Sequence, residues 1–294
     1  MPSASGGFMR AAFQKDDAFL SDVKTSLSAG RLAVWWLGQS GFLIVQDGRA
    51  IVLDPYLSDS LTQKYAGTDK PHVRITERVI DPAVLASLGC IDLISSSHNH
   101  TDHLDPETLI PLLEKNPEAR LVIPAANREF VLERLSSVRP HRLIELDHEQ
   151  TMAVGRHRVT GIAAAHPTEE RDTPGRCKYL GYVIQINGLT FYHSGDTLWH
   201  EPAISALRHF RIDLAFLPIN GDLPERRVAG NLDGPQAARL ARAIGARLAV
   251  PCHYDMFEFN TASPEHFVRE CTRIKQHFRV LRNGEKLEWP SACR

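Results

Sequence analysis

The stretch IDLISSSHNHTDH, residues 91–103, joins a run typical of a β-strand to a dense cluster of potential metal ligands. It begins as an apolar strand and ends with His98, His100, Asp102 and His103 within six residues. Only 14 of the 294 residues are histidines. Because a solvated polar loop would rarely reach this density, we interpret the cluster as part of a metal site.

The residue types in this cluster suit a divalent metal ion of intermediate hardness, which prefers imidazole and carboxylate ligands. His98 and His100 are two residues apart, so an extended or tightly turned backbone can direct both imidazoles to one ion. Asp102 and His103 continue the turn and can serve a second ion, typically about 3.5–4 Å away. Four ligands are too few for two complete sites, so the cluster predicts further ligands downstream.

Other predicted strands also end in histidines or acidic residues, which is typical of a rigid scaffold with functional loops at one edge. Asp196 follows the strand at residues 189–193, and His253 follows the strand at residues 248–252. His166 ends a predicted hairpin. We predict these three as the missing ligands, although Ser-Gly-Asp is also good turn chemistry and either histidine could instead be structural.

The pattern of elements predicts an α/β (α+β) fold of two packed sheets with helices on both outer faces. Residues 30–53 are typical of a β-meander whose first and third strands are covered on both faces. Residues 57–80 are predicted to be a long loop near the site, and residues 278–289 a final hairpin. We expect residues 1–29 to be a tail and short helix, followed by one domain over residues 30–294.

Composition limits the function classes. The net charge is -1, with 34 Lys and Arg against 35 Asp and Glu, which argues against a nucleic-acid partner. The five cysteines are scattered, which indicates a reducing compartment. No signal peptide and no apolar run of about 20 residues is present. We therefore expect a soluble cytoplasmic protein without a membrane span.

Four segments resemble a known family. HNHTDH matches the His-x-His-x-Asp-His motif of the metallo-β-lactamase-fold superfamily in full. The segments AVWWLGQSGFLI, YHSGDT and VPCHYDMF resemble its UlaG-like branch, named after L-ascorbate-6-phosphate lactonase. The resemblance implies an αββα sandwich of two mixed sheets with the metal site at one edge, and an assembly of identical subunits.

The resemblance also implies which residue binds which ion. The implied ligands of the first ion are all histidines: His98, His100 and His166. Asp102, His103 and His253 are the implied ligands of the second ion, and Asp196 bridges the two. Such sites suit two zinc or manganese ions, with iron as a further option.

We hypothesise metal-assisted hydrolysis of a small-molecule ester or lactone, with phosphorylated substrates included. The ions lower the pKa of a bound water from 15.7 to about 7, and Asp102 holds or accepts the water proton. We predict that five side chains near strand ends or in the later loop contact substrate: Trp36, Gln39, Arg226, Arg227 and Tyr254. The alternatives are a phosphodiesterase of the phospholipase-D-like or nucleic-acid-processing kind, and a non-catalytic metal-binding sensor.

Overall fold

The computed structural model describes residues 9–289, which form two mixed β-sheets packed face to face. The thirteen strands described are β1 (Ala33–Gly38), β2 (Gly41–Gln46), β3 (Arg49–Leu53), β4 (Ile91–Ser95), β5 (Arg120–Pro124), β6 (Leu143–Leu146), β7 (Thr151–Val154), β8 (His157–Ala163), β9 (Leu180–Ile186), β10 (Leu189–His193), β11 (Leu214–Pro218), β12 (Leu248–Cys252) and β13 (Lys286–Glu288). The described α-helices are α1 (Asp16–Ala29), α2 (Ser60–Lys64), α3 (Pro82–Ala86), α4 (Pro106–Lys115), α5 (Arg128–Arg134), α6 (Glu201–Leu207), α7 (Gly234–Ala243) and α8 (Glu265–Ile274).

The two sheets have the orders β13-β1-β2-β3-β4-β5-β6 and β12-β11-β10-β9-β8-β7. One apolar core lies between the sheets and extends to α6, α7 and α8, and a second lies between the first sheet and α1, α3, α4 and α5. The layers are therefore α, β, β, α. This confirms the predicted fold class.

Strand β1 shows why its sequence is continuously apolar. Val34 and Trp36 belong to the core between the sheets, whereas Trp35 and Leu37 belong to the core under the helices. Successive side chains of a strand point to opposite faces, so a strand covered on both sides needs apolar residues throughout. The prediction that this strand is covered on both faces is confirmed.

Strand direction brings several loops to one edge of the sandwich. Strands β3, β4, β5 and β6 are parallel, and β10, β11 and β12 are parallel. Strand β8 runs antiparallel to β9, which runs antiparallel to β10, so β8 and β10 end at the same edge. In open α/β sheets, sites form where the carboxyl ends of such strands meet.

The structure corrects the predicted final hairpin. Lys286–Glu288 pairs antiparallel with β1 in the first sheet, whereas Phe278 bridges to Ala249 in the second. The two segments bind different sheets, so the residues between them connect the sheets and do not close a hairpin. The predicted loop at residues 57–80 contains the short helix α2. Among residues 9–289, no helix is long and apolar enough to cross a membrane.

Candidate metal centre

The loops at this edge bring together all seven predicted metal ligands. Their donor atoms form three overlapping groups, in each of which the atoms lie within 4.8 Å of one another. The groups are His98, His100 and His166; His98, His103 and Asp196; and Asp102, His103 and His253. The ligands come from four separate loops, which follow β4, β8, β10 and β12.

Asp196 occupies the middle of this arrangement. Its Oδ1 is 3.4 Å from Nε2 of His103, and its Oδ2 is 3.2 Å from Nε2 of His253 and 3.6 Å from Nε2 of His166. A single carboxylate thus faces imidazoles from three different loops. This position suits a carboxylate that bridges two cations.

Two buried nitrogen atoms indicate that the cluster fits a metal ion. Nε2 of His98 and Nε2 of His103 are buried and have no hydrogen-bond partner within residues 9–289. Buried polar atoms are nearly always hydrogen-bonded, so unpartnered ones need an explanation. Imidazole nitrogens that converge with carboxylate oxygens are the donor set of zinc, manganese and iron sites.

The opposite ring nitrogens are held in place by hydrogen bonds. Nδ1 of His103 lies 2.7 Å from Oδ2 of Asp54, and Nδ1 of His166 donates to the carbonyl oxygen of Gly230 at 2.8 Å. Nδ1 of His98 lies 2.9 Å from Oγ of Ser97. Such partners fix the ring orientation of metal-binding histidines and leave Nε2 for the ion.

Asp54 is a residue that the sequence analysis missed. It directly follows β3, is fully buried, and also accepts hydrogen bonds from Oγ of Ser95 at 2.6 Å and from the backbone N–H of Ser97 at 3.1 Å. Burial raises the pKa of Asp54, but the charge of His193 and the hydrogen bond with His103 outweigh burial and leave that pKa at about 2. The strand-end rule that selected Asp196 would also have selected Asp54.

The electrostatic field of the cluster favours positive charge. Burial lowers the pKa of His103, but the carboxylates of Asp196 and Asp102 outweigh burial and raise that pKa well above its usual value. The pKa of His98 is held well below its usual value by burial and by the neighbouring His103. His98 is thus neutral beside ionised carboxylates, the state in which an imidazole binds a metal ion, and a bound ion would replace the proton that the carboxylates favour on His103.

Strained backbone accompanies the site. Gln39, Asp54 and His253 have φ angles of 48°, 37° and 62°, in the left-handed region that is rare for residues other than glycine. The backbone N–H of His253 donates to the carbonyl oxygen of Gln39 at 2.8 Å, which joins two of the strained positions. Such strain concentrates at functional sites, where the surrounding structure imposes it.

Gly195 allows two of the ligand loops to approach each other. It has a φ of 59°, and a Cβ at this position would lie 2.5 Å from Cβ of Ser97. Because the side chain of Ser97 is hydrogen-bonded to the ring of His98, a side chain at Gly195 would displace the loop that carries the metal motif. The glycine of the YHSGDT segment is therefore required by close packing as well as by backbone conformation.

A cavity of about 380 Å³ opens onto the cluster. Two of the five predicted substrate residues, Gln39 and Arg227, line this cavity. Nε2 of Gln39 donates to Oδ2 of Asp102 at 2.8 Å and lies 3.1 Å from Nε2 of His253. The amide of Gln39 is therefore in direct contact with the ligand cluster.

Trp36, Tyr254 and Arg226 are not among the described residues that line the cavity. Trp36 is fully buried, donates from Nε1 to the carbonyl oxygen of Gln39 at 3.0 Å, and packs on Tyr254 at 4.3 Å between ring centroids. Arg226 donates to the carbonyl oxygens of Asn220 and Thr261. These three side chains thus contact neighbouring parts of the protein, and their contact with substrate stays a prediction.

Side chains that the sequence analysis did not select form much of the cavity wall. One part is aromatic: the ring of His72 stacks on Tyr65 at 4.2 Å and meets Phe259 and Phe257 edge-on at 4.6 Å and 5.4 Å. The other part is cationic and consists of Lys64, Lys70 and Arg134, which lie in the same wall as the predicted Arg227. The position of residues 57–80 beside the site was the only sequence signal for part of this wall.

Comparison with known proteins agrees with this geometry. Residues 49–254 match the β-lactamase superfamily domain. Over 266 residues the chain is 29% identical to a metal-dependent hydrolase of Rubrobacter xylanophilus, with 88% of this chain and 97% of the relative covered. It is 22% identical over 298 residues to a probable L-ascorbate-6-phosphate lactonase, UlaG, of Escherichia coli, with 90% and 82% covered.

A solved structure shows the same fold. The isothiocyanate hydrolase from Delia radicum gut bacteria superposes with a TM-score of 0.68 at 14% identity, over 88% of this chain and 99% of that one. Because the domain match spans more than half of the sequence, the chain belongs to the β-lactamase superfamily domain family. It is a metal-dependent hydrolase of the metallo-β-lactamase superfamily, with UlaG-like relatives.

Proposed function

We propose that the enzyme hydrolyses an ester or lactone bond in a small molecule, with phosphorylated substrates included. The observation that carries the proposal is the position of the ligand cluster at the base of a cavity of about 380 Å³. Cavities that bind small molecules usually measure roughly 300–1,000 Å³. The relationship to UlaG at 22% identity supports the lactone as the first substrate class to test.

We propose that the seven clustered residues hold two divalent ions, zinc or manganese, with iron as a further option. His98, His100 and His166 would hold one ion, and Asp102, His103 and His253 the other. Asp196 would bridge them. When bound, the ions lower the pKa of a water molecule to about 7 and so provide a nucleophile at neutral pH.

Asp102 is the residue we assign to proton transfer. Its carboxylate lines the cavity, and Oδ2 lies 3.7 Å from Nε2 of His253 and accepts a hydrogen bond from Gln39. The side chain of Gln39 fixes the orientation of the carboxylate, so the free oxygen can accept the proton of the attacking water. Water adds to the acyl carbon and the acyl C–O bond breaks, so an ester gives a carboxylic acid and an alcohol, and a lactone gives one hydroxy acid.

Three other properties belong to the same proposal. We propose that residues 30–294 act as one catalytic domain behind an N-terminal tail and helix, that the enzyme works in the cytoplasm, and that it assembles with identical copies. Free thiols at Cys90, Cys177, Cys252 and Cys271 fit a reducing compartment. Cys293 lies outside the described residues.

A substrate panel tests the reaction class. The protein is stripped of metal, reloaded with zinc or manganese, and assayed on a lactone, a phosphate-bearing lactone and a phosphodiester. We expect metal-dependent turnover of a lactone. Turnover of the phosphodiester alone would favour the phosphodiesterase alternative, and metal binding without turnover of any substrate would favour the sensor.

A further inference from the structure

We propose that Arg134 binds an anionic group of the substrate, a phosphate or a carboxylate, at the wall of the cavity. The inference rests on the proposed hydrolysis at the same cavity and adds the property that selects the substrate. Arg134 is the last residue of α5 and lines the cavity beside His100 and Asp102. Neither the sequence pattern nor the metal motif pointed to it.

The guanidinium of Arg134 is hydrogen-bonded to the loop that carries the metal motif. Its Nη2 donates to Oγ1 of Thr101 at 2.6 Å, and Thr101 directly precedes Asp102. An anion held by Arg134 would therefore lie beside the ligand cluster. A small molecule in the cavity could reach both groups at once.

The remaining donors of Arg134 are available to a ligand. Within residues 9–289, its guanidinium has no further hydrogen bond and no carboxylate within 4.0 Å, although the side chain is half-buried and its Cζ lies 5.7 Å from the ring centroid of Phe130. Burial lowers the pKa of Arg134, and the charges of Asp105 and Asp102 only partly offset that effect. A half-buried guanidinium with free donors matches the bidentate geometry of carboxylates and phosphates.

Two of the other cations in the wall are engaged with the protein. Nζ of Lys70 donates to the carbonyl oxygen of Arg227, and Nη1 of Arg227 donates to Asp69 at 2.8 Å. Lys64 is exposed and lies 5.3 Å from the ring centroid of Tyr65. Arg134 thus differs from these three by combining partial burial, a fixed position and free donors.

The test compares charged and neutral substrates of the same shape. The metal-loaded wild type, R134M and R134K are assayed on a neutral lactone, its phosphate ester and a carboxylate analogue. Since hydrogen bonds to charged groups contribute about 1.5–3 kcal/mol, we expect R134M to lose roughly 10- to 100-fold in kcat/KM on one anionic substrate. On the neutral lactone the loss should stay below about twofold. R134K should recover part of the loss, and the preferred anion identifies the recognised group.

Arg128 provides the matched control. It lies on the same helix, is half-buried and pairs with Glu145, and it does not line the cavity among the described residues. The kcat/KM of R128M should therefore equal that of the wild type on all three lactones. Equal losses of R134M on charged and neutral lactones, with unchanged metal content, would overturn the assignment and leave the hydrolase proposal intact.

A binding measurement separates the two proposals. Inorganic phosphate is titrated calorimetrically into metal-loaded wild type and R134M, which share the same metal ligands. We expect the Kd for phosphate to rise roughly tenfold in R134M. If no lactone is hydrolysed but this rise occurs, the proposed reaction fails and the anion site stands. An unchanged Kd together with no selective loss of R134M on the carboxylate analogue would reject the anion site.

Discussion

The base and the wall of the cavity are held in place in different ways. At the base, His103, His98 and His166 are buried, and each is fixed by a hydrogen bond to Asp54, Ser97 or Gly230. In the wall, Lys64 and Tyr65 lie at the end of the short helix α2, and Arg134 ends α5. Buried hydrogen bonds therefore orient the ligands of the base, whereas these wall side chains lie at helix ends and, among the described residues, make no hydrogen bond to a ligand ring. Substitutions at the base should lower the metal content, whereas substitutions in the wall should leave it unchanged.

The largest effect is expected at the base. H98A and D196A each remove a donor from the ligand cluster, so both variants should lose bound metal and at least about 1,000-fold in activity. The measurements are metal content by mass spectrometry and turnover of the best lactone. H209A, which removes an exposed histidine, is the control; full activity in H98A or D196A would show that the ligands are assigned wrongly.

A glycine pair measures how closely the base is packed. G188A and G195A both place alanine in the left-handed region, at φ angles of 79° and 59°, but only position 195 has neighbours within 4 Å of an added Cβ. We expect G188A to cost about 1–2 kcal/mol of unfolding free energy and G195A about 1–3 kcal/mol more. Only G195A should also weaken metal binding, because Ser97 must move. Denaturant unfolding gives the difference, and equal costs would contradict the packing role of Gly195.

Loss of Asp54 should lower the metal affinity of the ligand cluster without removing a ligand. D54A leaves Nδ1 of His103 and the N–H of Ser97 without their acceptor, and loss of such supporting partners typically lowers metal affinity 10- to 100-fold. Competition with a chelator measures the affinity. D92N, which removes a carboxylate paired with Arg49, is the control. Unchanged metal affinity in D54A would mean that His103 needs no support.

The smallest effect is expected in the aromatic wall. F259A removes a ring that meets His72 at 4.6 Å and lines the cavity. Aromatic contacts contribute about 0.5–1.5 kcal/mol, so KM should rise a fewfold while metal content stays unchanged. A loss of metal in F259A would show that wall and base are not independent.

The sequence predicted which residues gather in the cluster, because each follows the end of a buried strand. His103, Asp196 and His253 are placed by the sheets themselves, so a strand pattern was enough to group them. Asp54 obeys the same rule but was missed, since a lone aspartate before proline also suits an ordinary turn. The motif drew attention to the histidines and not to the carboxylate that supports them.

The wall and one strand were harder to predict because they depend on packing between distant segments. Trp36 and Tyr254 stand near the predicted strand ends, but their rings pack on each other beneath Gln39. Arg134 belongs to a helix whose sequence gives no sign of the cavity. The end of the chain was predicted as a hairpin, although β13 pairs with β1, more than 200 residues away in sequence. Such contacts join residues that are distant in sequence, so a local sequence pattern cannot predict them.

Anomalous diffraction from crystals of the metal-loaded enzyme tests the central claim most directly, because it locates each ion and identifies the element. We expect two ions per chain, one bound by His98, His100 and His166 and the other by Asp102, His103 and His253, with Asp196 contacting both. Binding of the ions at other residues, or no ion within this cluster, would contradict the proposed centre.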